Sequence, residues 1–178
     1  MVTIIFEAHG TTVDNEARIS SGQNDAALSE LGEKQAVKLG ERYKDKHPDA
    51  IFCSDLERSY KTAEIAFAGK NIPIIKDTRL RECDYGEWSG RPSAEVEPER
   101  GNRIDTPFPG GESYEQTTAR MGDFLNELKE KYDGKTVMII GHRATQYGLE
   151  HLIKGLPIRD AVVAHWQWQP GWTYALSG

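Results

Sequence analysis

The sequence is poor in cysteine and in long apolar runs, and each shortage excludes a class of protein. Its two cysteines, Cys53 and Cys83, form no Cys-x-x-Cys pair, so neither a disulfide framework nor a cysteine zinc site is expected. No apolar run approaches the roughly 18 residues of a membrane-spanning helix. The N-terminal MVTIIFEAHG becomes polar too early for a signal peptide. We therefore expect a cytoplasmic protein without a membrane partner.

Positive charge is also in short supply. Lys and Arg number 22 against 28 Asp and Glu, a formal net charge of −6, which repels phosphodiester backbones and argues against a nucleic-acid partner. A small anionic ligand remains possible, because a few Arg and His can converge in one pocket. The length of 178 residues predicts one domain spanning residues 1–178, and nothing in the sequence indicates an oligomeric state.

Hydrophobic patterning predicts an alternation of strands and helices. Such an alternation is typical of an α/β fold, here a three-layer α/β/α arrangement with a mostly parallel central sheet. Residues 80–106 have no sustained period and predict an excursion with one helical turn near Ala94. The C-terminal tail predicts two strands joined at residues 169–171, with its tryptophans packed on the hairpin face. The predicted strands are 2–6, 50–53, 72–75 and 136–140, and the predicted helices are 31–46 after a Ser29 cap, 57–67, 114–132 after a Ser113–Gln116 capping box, and 144–154 before Gly155.

Two histidines, His9 and His142, directly follow predicted strands. Ligands of parallel sheets bind at the carboxyl ends of the strands, so these two side chains are expected to meet. Arg58 and Glu82 lie in the loops after two other strands. A neutral imidazole is a nucleophile, a guanidinium binds phosphate oxygens, and a carboxylic acid can move a proton. This combination suits phosphoryl transfer through a phosphohistidine, with no metal and no other cofactor.

Some of these assignments have alternatives. Arg58 could instead pair with Glu57 or Asp55 on an exposed helix, and Asp84 or Glu87 could take the role of Glu82.

The ordered motifs resemble those of the histidine phosphatase superfamily, the phosphoglycerate-mutase-like family. Its R-H-G-E-T-x-x-N motif is similar to residues 8–15, and its G-x-x-D-x-P-L-T-x-x-G-x-x-Q-A motif to residues 22–36. The resemblance continues with S-x-L-x-R-A-x-x-T-A at residues 54–63, L-x-E-x-x-x-G-x-W-x-G at 80–90, PGGES at 109–113 and the second histidine at His142.

The resemblance implies a role for each matching residue. His9 is the expected phosphorylated nucleophile, and Glu82 is the expected proton donor and then base. Arg58 and His142 are expected to hold the phosphate, with Asn15 as a further donor. The remaining expected substrate-binding residues are Gly10, Thr12, Gln23 and Arg143.

The chain also departs from the family pattern. Ala8 stands where the motif has an arginine, Thr11 where it has a glutamate, and Glu7 where an apolar residue is usual. A lost charge-assisted phosphate contact costs about 1.5–3 kcal/mol. Arg143 is a candidate replacement cation, and it is also a candidate partner for Glu7, because a carboxylate buried alone is costly. An exposed arginine without either role is the remaining interpretation.

Three functions are consistent with these residues. The resemblance favours a metal-independent phosphatase acting on small phosphomonoesters, because the short chain leaves little room for the insertions with which mutases close over their substrate. A phosphate-ligand-binding protein with weak or no catalysis is the second, suggested by Ala8 and Thr11. Phosphoglycerate-mutase-type phosphoryl transfer is the third.

Overall fold

A computed structural model describes residues 1–178 and divides them into seven strands and seven α-helices. The strands are β1 (Val2–Ala8), β2 (Ile19–Ser20), β3 (Ala50–Cys53), β4 (Ile74–Lys76), β5 (Arg91–Pro92), β6 (Thr136–Gly141) and β7 (Trp172–Leu176). The helices are α1 (Val13–Glu16), α2 (Glu30–Arg42), α3 (Glu57–Ala66), α4 (Ser93–Val96), α5 (Tyr114–Tyr132), α6 (Arg143–Lys154) and α7 (Ile158–Val163). Short 3-10 helices occupy Thr78–Leu80, Gly86–Trp88 and Glu97–Asn102.

The central sheet has the order β4-β3-β6-β1-β7, and only β7 is antiparallel to its neighbour. One face packs against α5 and α6 through a core that includes Phe6, Phe52 and Phe124. The other packs against α2 and α3, where Leu39 and Met138 belong to a second core. The predicted three-layer α/β/α fold with a mostly parallel sheet is confirmed. No helix is both long and apolar enough to cross a bilayer.

The local signals at the helix ends act as predicted. The Ser29 hydroxyl accepts a hydrogen bond from the Gly32 amide at the start of α2. Ser113 and Gln116 bond each other's backbone amides in a reciprocal capping box, an arrangement in which the cap alone contributes about 1 kcal/mol. Gly155 ends α6 at φ 74°, in the left-handed region that favours glycine.

The C-terminal tail differs from its prediction. Residues predicted to form the first strand of a hairpin instead form α7 and an irregular segment, and only β7 joins the sheet. A short apolar run such as AVVAHW fits a helix or a strand equally well, so neighbouring structure decides. Ala161 and Val162 of α7 are buried with Val96 and Ile104, which favours the helix. Two smaller differences are that α2 ends at Arg42 rather than near residue 46, and that β4 begins at Ile74 rather than at residue 72.

Candidate active site

A cavity of about 1090 Å³ opens at the carboxyl ends of β1 and β6 and the start of α3. We call it the strand-end cavity. All four of the predicted catalytic residues line it. Two of them directly follow β1 and β6, one lies in α3, and one lies in the loop after β4. These residues are His9, Arg58, Glu82 and His142.

His9 follows β1 and has a defined tautomer. Its Nδ1 lies 2.6 Å from the carbonyl oxygen of Gly10, and because a carbonyl can only accept, Nδ1 carries the proton. The lone pair is therefore on Nε2. Burial above all, together with the charges of Arg58 and Arg143, lowers the pKa of His9 from 6.5 to about 3, although the bond to Gly10 acts in the opposite direction. His9 is neutral at physiological pH, as a nitrogen nucleophile must be.

His142 follows β6 and faces His9, with the ring centroids 5.2 Å apart. Its Nε2 lies 2.7 Å from the Ser54 hydroxyl, whereas its Nδ1 is buried and has no partner. Burial, and then the charge of Arg58, holds the pKa of His142 well below its ordinary value. A buried polar atom without a partner is unusual in a folded protein.

Arg58 is buried at the start of α3 and does not form the predicted alternative pairs. Its two Nη atoms donate to the carbonyls of Gly22 and Asn24, and only 3 % of the residue is exposed. Asp55 is bound by Arg81 instead. No carboxylate forms an ion pair with Arg58, and its positive charge lowers the pKa of both histidines.

Hydrogen bonds to both the side chain and the backbone of Glu82 fix its position. One carboxylate oxygen accepts from the amide of Cys83 at 2.8 Å. The guanidinium of Arg120 donates to the carbonyl oxygens of Arg79, Arg81 and Glu82, which fixes the loop that carries Glu82. Neither alternative carboxylate, Asp84 nor Glu87, lines the strand-end cavity.

The predicted binding residues of the first loop divide into two groups. Asn15 and Gly10 line the cavity, but Thr12 does not. Thr12 and Asn15 form a capping box at α1, which uses the amide oxygen of Asn15 and leaves its NH₂ group available. Gly10 donates its amide to Thr62, and a Cβ there would lie 2.5 Å from the Gly32 carbonyl oxygen. Gly10 therefore allows close packing rather than donating to phosphate.

Gln23 lies outside the strand-end cavity and supports Glu82 through its backbone carbonyl. Its amide nitrogen donates to the Glu82 carbonyl at 3.1 Å and to the Glu112 carboxylate at 3.3 Å. Glu112, in the PGGES segment, also accepts from the Asp84 amide and from Arg120. The motif glutamine thus acts through the loop that it braces and does not contact the cavity.

Arg143 lines the strand-end cavity, but it is not the partner of Glu7, which corrects one motive for its assignment. Glu7 is fully buried and accepts from Arg42 at 3.1 Å and from the Tyr43 hydroxyl at 2.7 Å.

Arg143 stacks on Trp166, with its guanidinium 4.9 Å from the ring centroid, and approaches the Glu97 carboxylate at 3.5 Å. Its charge lowers the pKa of His9, as expected for a cation beside the nucleophile.

Sequence reasoning did not assign several residues that the structure places at the site. Ser54 orients His142, and the position of Ser54 in the S-x-L-x-R segment was the available signal. Arg100 lines the cavity with a buried, unpartnered Nε, and no motif indicated it. Trp166 and Trp168 line the cavity instead of packing on a hairpin face.

No group of three or more His, Cys, Asp or Glu side chains is arranged to hold a metal ion.

Comparison with known proteins identifies the family. The model of the histidine phosphatase superfamily, branch 1, matches residues 4–168. Phosphoserine phosphatase 1 of Hydrogenobacter thermophilus is 38% identical over 151 residues, which cover 80% of this chain and 71% of that protein. A probable phosphoglycerate mutase, GpmB, of Erwinia tasmaniensis is 33% identical over 165 residues, covering 88% of this chain and 77% of that protein.

The fold comparison agrees. The structure of Bacillus stearothermophilus YhfR superimposes with a TM-score of 0.85 at 26% identity, and the match covers 96% of this chain and 88% of that one. A family match over nearly the whole chain, relatives above 30% identity and a shared fold lead to one conclusion: this chain belongs to branch 1 of the histidine phosphatase superfamily.

Proposed function

We propose that this chain is a metal-independent phosphatase that hydrolyses small phosphomonoesters through a phosphohistidine at His9. The observation that carries the proposal is the state of His9. Its proton is on Nδ1, its ring is neutral, and its free Nε2 belongs to a cavity that also contains Arg58, His142 and Glu82. The names of relatives, which include phosphoserine phosphatase and glucosyl-3-phosphoglycerate phosphatase, support the same class of substrate.

In the first step, Nε2 of His9 attacks phosphorus and the P–N bond forms as the ester P–O bond breaks. Glu82, in its acid form, gives its proton to the leaving oxygen, so the alcohol departs neutral. Charge on the phosphoryl oxygens is stabilised by Arg58, by the Nδ1 side of His142 acting as a donor, and by the free NH₂ of Asn15. Arg143 supplies a further positive charge beside the nucleophile.

In the second step, the Glu82 carboxylate takes a proton from water while the water oxygen attacks phosphorus. The P–N bond breaks, its electrons return to Nε2 of His9, and inorganic phosphate leaves. Glu82 ends protonated and His9 neutral, so both groups are restored for the next cycle. Neither step requires a metal, because the cations are side chains.

Phosphate release from p-nitrophenyl phosphate in the presence of a chelator tests this proposal. Wild type should turn over and should form an acid-labile phosphoenzyme, whereas His9→Ala should do neither. His47→Ala changes an exposed histidine outside the cavity and is the matched control. Near-normal hydrolysis by His9→Ala, or a requirement for added magnesium or zinc, contradicts the mechanism. Phosphate binding without any turnover indicates the non-catalytic alternative.

Phosphoryl transfer to a second hydroxyl is the other candidate, because several relatives are named probable phosphoglycerate mutases. The cavity beside His9 is large enough to admit water next to a small substrate. We therefore favour hydrolysis. Product analysis with a phosphorylated sugar acid separates the two: free phosphate indicates hydrolysis, and an isomeric phosphate ester indicates transfer.

A further inference from the structure

The irregular segment of residues 164–171, here called the C-terminal segment, forms part of the wall of the strand-end cavity. It carries Trp166 and Trp168, and both line the cavity. Each indole stacks on an arginine that also lines the cavity. The guanidinium carbon of Arg143 lies 4.9 Å from the ring centroid of Trp166, and that of Arg42 lies 5.7 Å from the ring centroid of Trp168.

Arg42 is the last residue of α2, and its side chain is held by a buried carboxylate. One of its Nη atoms donates to Glu7, whose second oxygen accepts from Tyr43. Glu7 is fully buried, so its charge needs this partner, and the pair holds the guanidinium in one place. The C-terminal segment packs closely against Tyr43, because a Cβ on Gly171 would lie 2.7 Å from the Tyr43 hydroxyl. Trp168 therefore stacks on an anchored cation.

Trp168 itself remains 54 % exposed although it lines a cavity that contains the nucleophile. The guanidinium carbon of Arg42 lies over its ring, 5.7 Å from the ring centroid, and more than half of the residue remains accessible to a ligand. From this arrangement we infer that Trp168, backed by Arg42, is a specificity-determining subsite that stacks a planar aromatic leaving group. The inference rests on the proposed phosphatase function and names the class of ester, an aryl or other planar-ring phosphate, that the site prefers.

The size and charge of this end of the cavity support a ring rather than a second anion. Ligand sites span about 300–1,000 Å³, so a cavity of about 1090 Å³ accommodates far more than a phosphoryl group. The charge of Arg42 is already offset by buried Glu7. The Trp168 ring, in contrast, is more than half exposed, and stacked aromatic pairs gain attraction beyond the area that they bury.

Calorimetric binding of two phosphonates tests the subsite without relying on turnover. Phosphonates are not hydrolysed, so binding alone is measured. We expect 1-naphthylmethylphosphonate to bind wild type at least about tenfold more tightly than methylphosphonate, since stacking and ring burial together exceed one factor of ten. Trp168→Leu should remove most of this preference, and Trp168→Phe, which keeps a ring, should retain most of it.

Gln167→Leu is the matched control, because it alters the same exposed segment at a residue that does not line the strand-end cavity. It should keep the wild-type preference. A naphthyl preference that persists in Trp168→Leu overturns the subsite, and so does an equal loss of affinity for both phosphonates, which indicates a structural role for the indole. Failure of wild type to bind either phosphonate instead contradicts the phosphate site and the proposed function.

Discussion

The Ser54 hydroxyl lies 2.7 Å from Nε2 of His142, and this bond orients the ring of a histidine that lines the strand-end cavity. With Nε2 engaged by a buried serine, the unpartnered Nδ1 is the atom left for a phosphoryl oxygen. A residue that never touches the substrate thus sets the orientation of one that is proposed to do so.

Ser54→Ala is expected to weaken inhibition by vanadate about fivefold, because one hydrogen bond that orients His142 contributes roughly 1 kcal/mol. The inhibition constant with p-nitrophenyl phosphate as substrate is the measurement. The His142→Ala background is the control, since Ser54 should then have no histidine to orient. A further fivefold loss in that background shows that Ser54 acts by another route.

Glu82→Gln is expected to slow hydrolysis of alkyl phosphates by about 10²–10⁴-fold and that of p-nitrophenyl phosphate much less. Alkoxide leaving groups need a proton, whereas p-nitrophenolate is stable without one. The measurement is kcat/KM for both esters. Glu87→Gln, at an exposed residue outside the cavity, is the control and should resemble wild type. Equal losses on the two esters remove Glu82 from the acid role.

Arg143→Ala is expected to weaken vanadate inhibition at least about tenfold, the loss of one bidentate contact. Restoring Ala8→Arg in that background should recover much of the affinity, because position 8 also lines the cavity. Trp166→Ala should cause part of the same loss, since its ring supports the guanidinium. Arg159→Ala, at an exposed site outside the cavity, is the control. An unchanged inhibition constant in Arg143→Ala assigns that residue a structural role.

Acid is expected to destabilise the fold through His9. Its pKa is about 3 in the folded chain and near 6.5 unfolded, so between these values the unfolded state binds the extra proton. Stability therefore falls as pH decreases from 6.5 toward 3, with up to about 1.4 kcal/mol per pH unit from this residue. Urea unfolding at pH 7, 6, 5 and 4 measures it. His9→Gln should lose stability less steeply than wild type, and parallel curves would mean that His9 is not held neutral.

The sequence was sufficient for the four parallel strands and for bringing His9, Arg58, Glu82 and His142 to one cavity, because buried parallel strands are visible as apolar runs and their ends share one edge. It was not sufficient for the partner of Glu7. Arg42 lies 35 positions away, and no local pattern shows which face of α2 turns toward β1. The same holds for Trp168, which lies in the irregular segment after α7 and lines the cavity. Both depend on contacts between distant elements.

The buried pair of Glu7 and Arg42 also constrains the order in which such a site can arise. An arginine at position 42 is harmless by itself, because a third of its side chain reaches solvent, 32 % by area. A glutamate at position 7 without it would place an uncompensated charge beneath the sheet edge, next to the nucleophile. The permissive change is therefore the arginine, and the acidic residue can follow only afterwards. In related chains, glutamate two residues before the nucleophile should occur only where α2 ends in a cation.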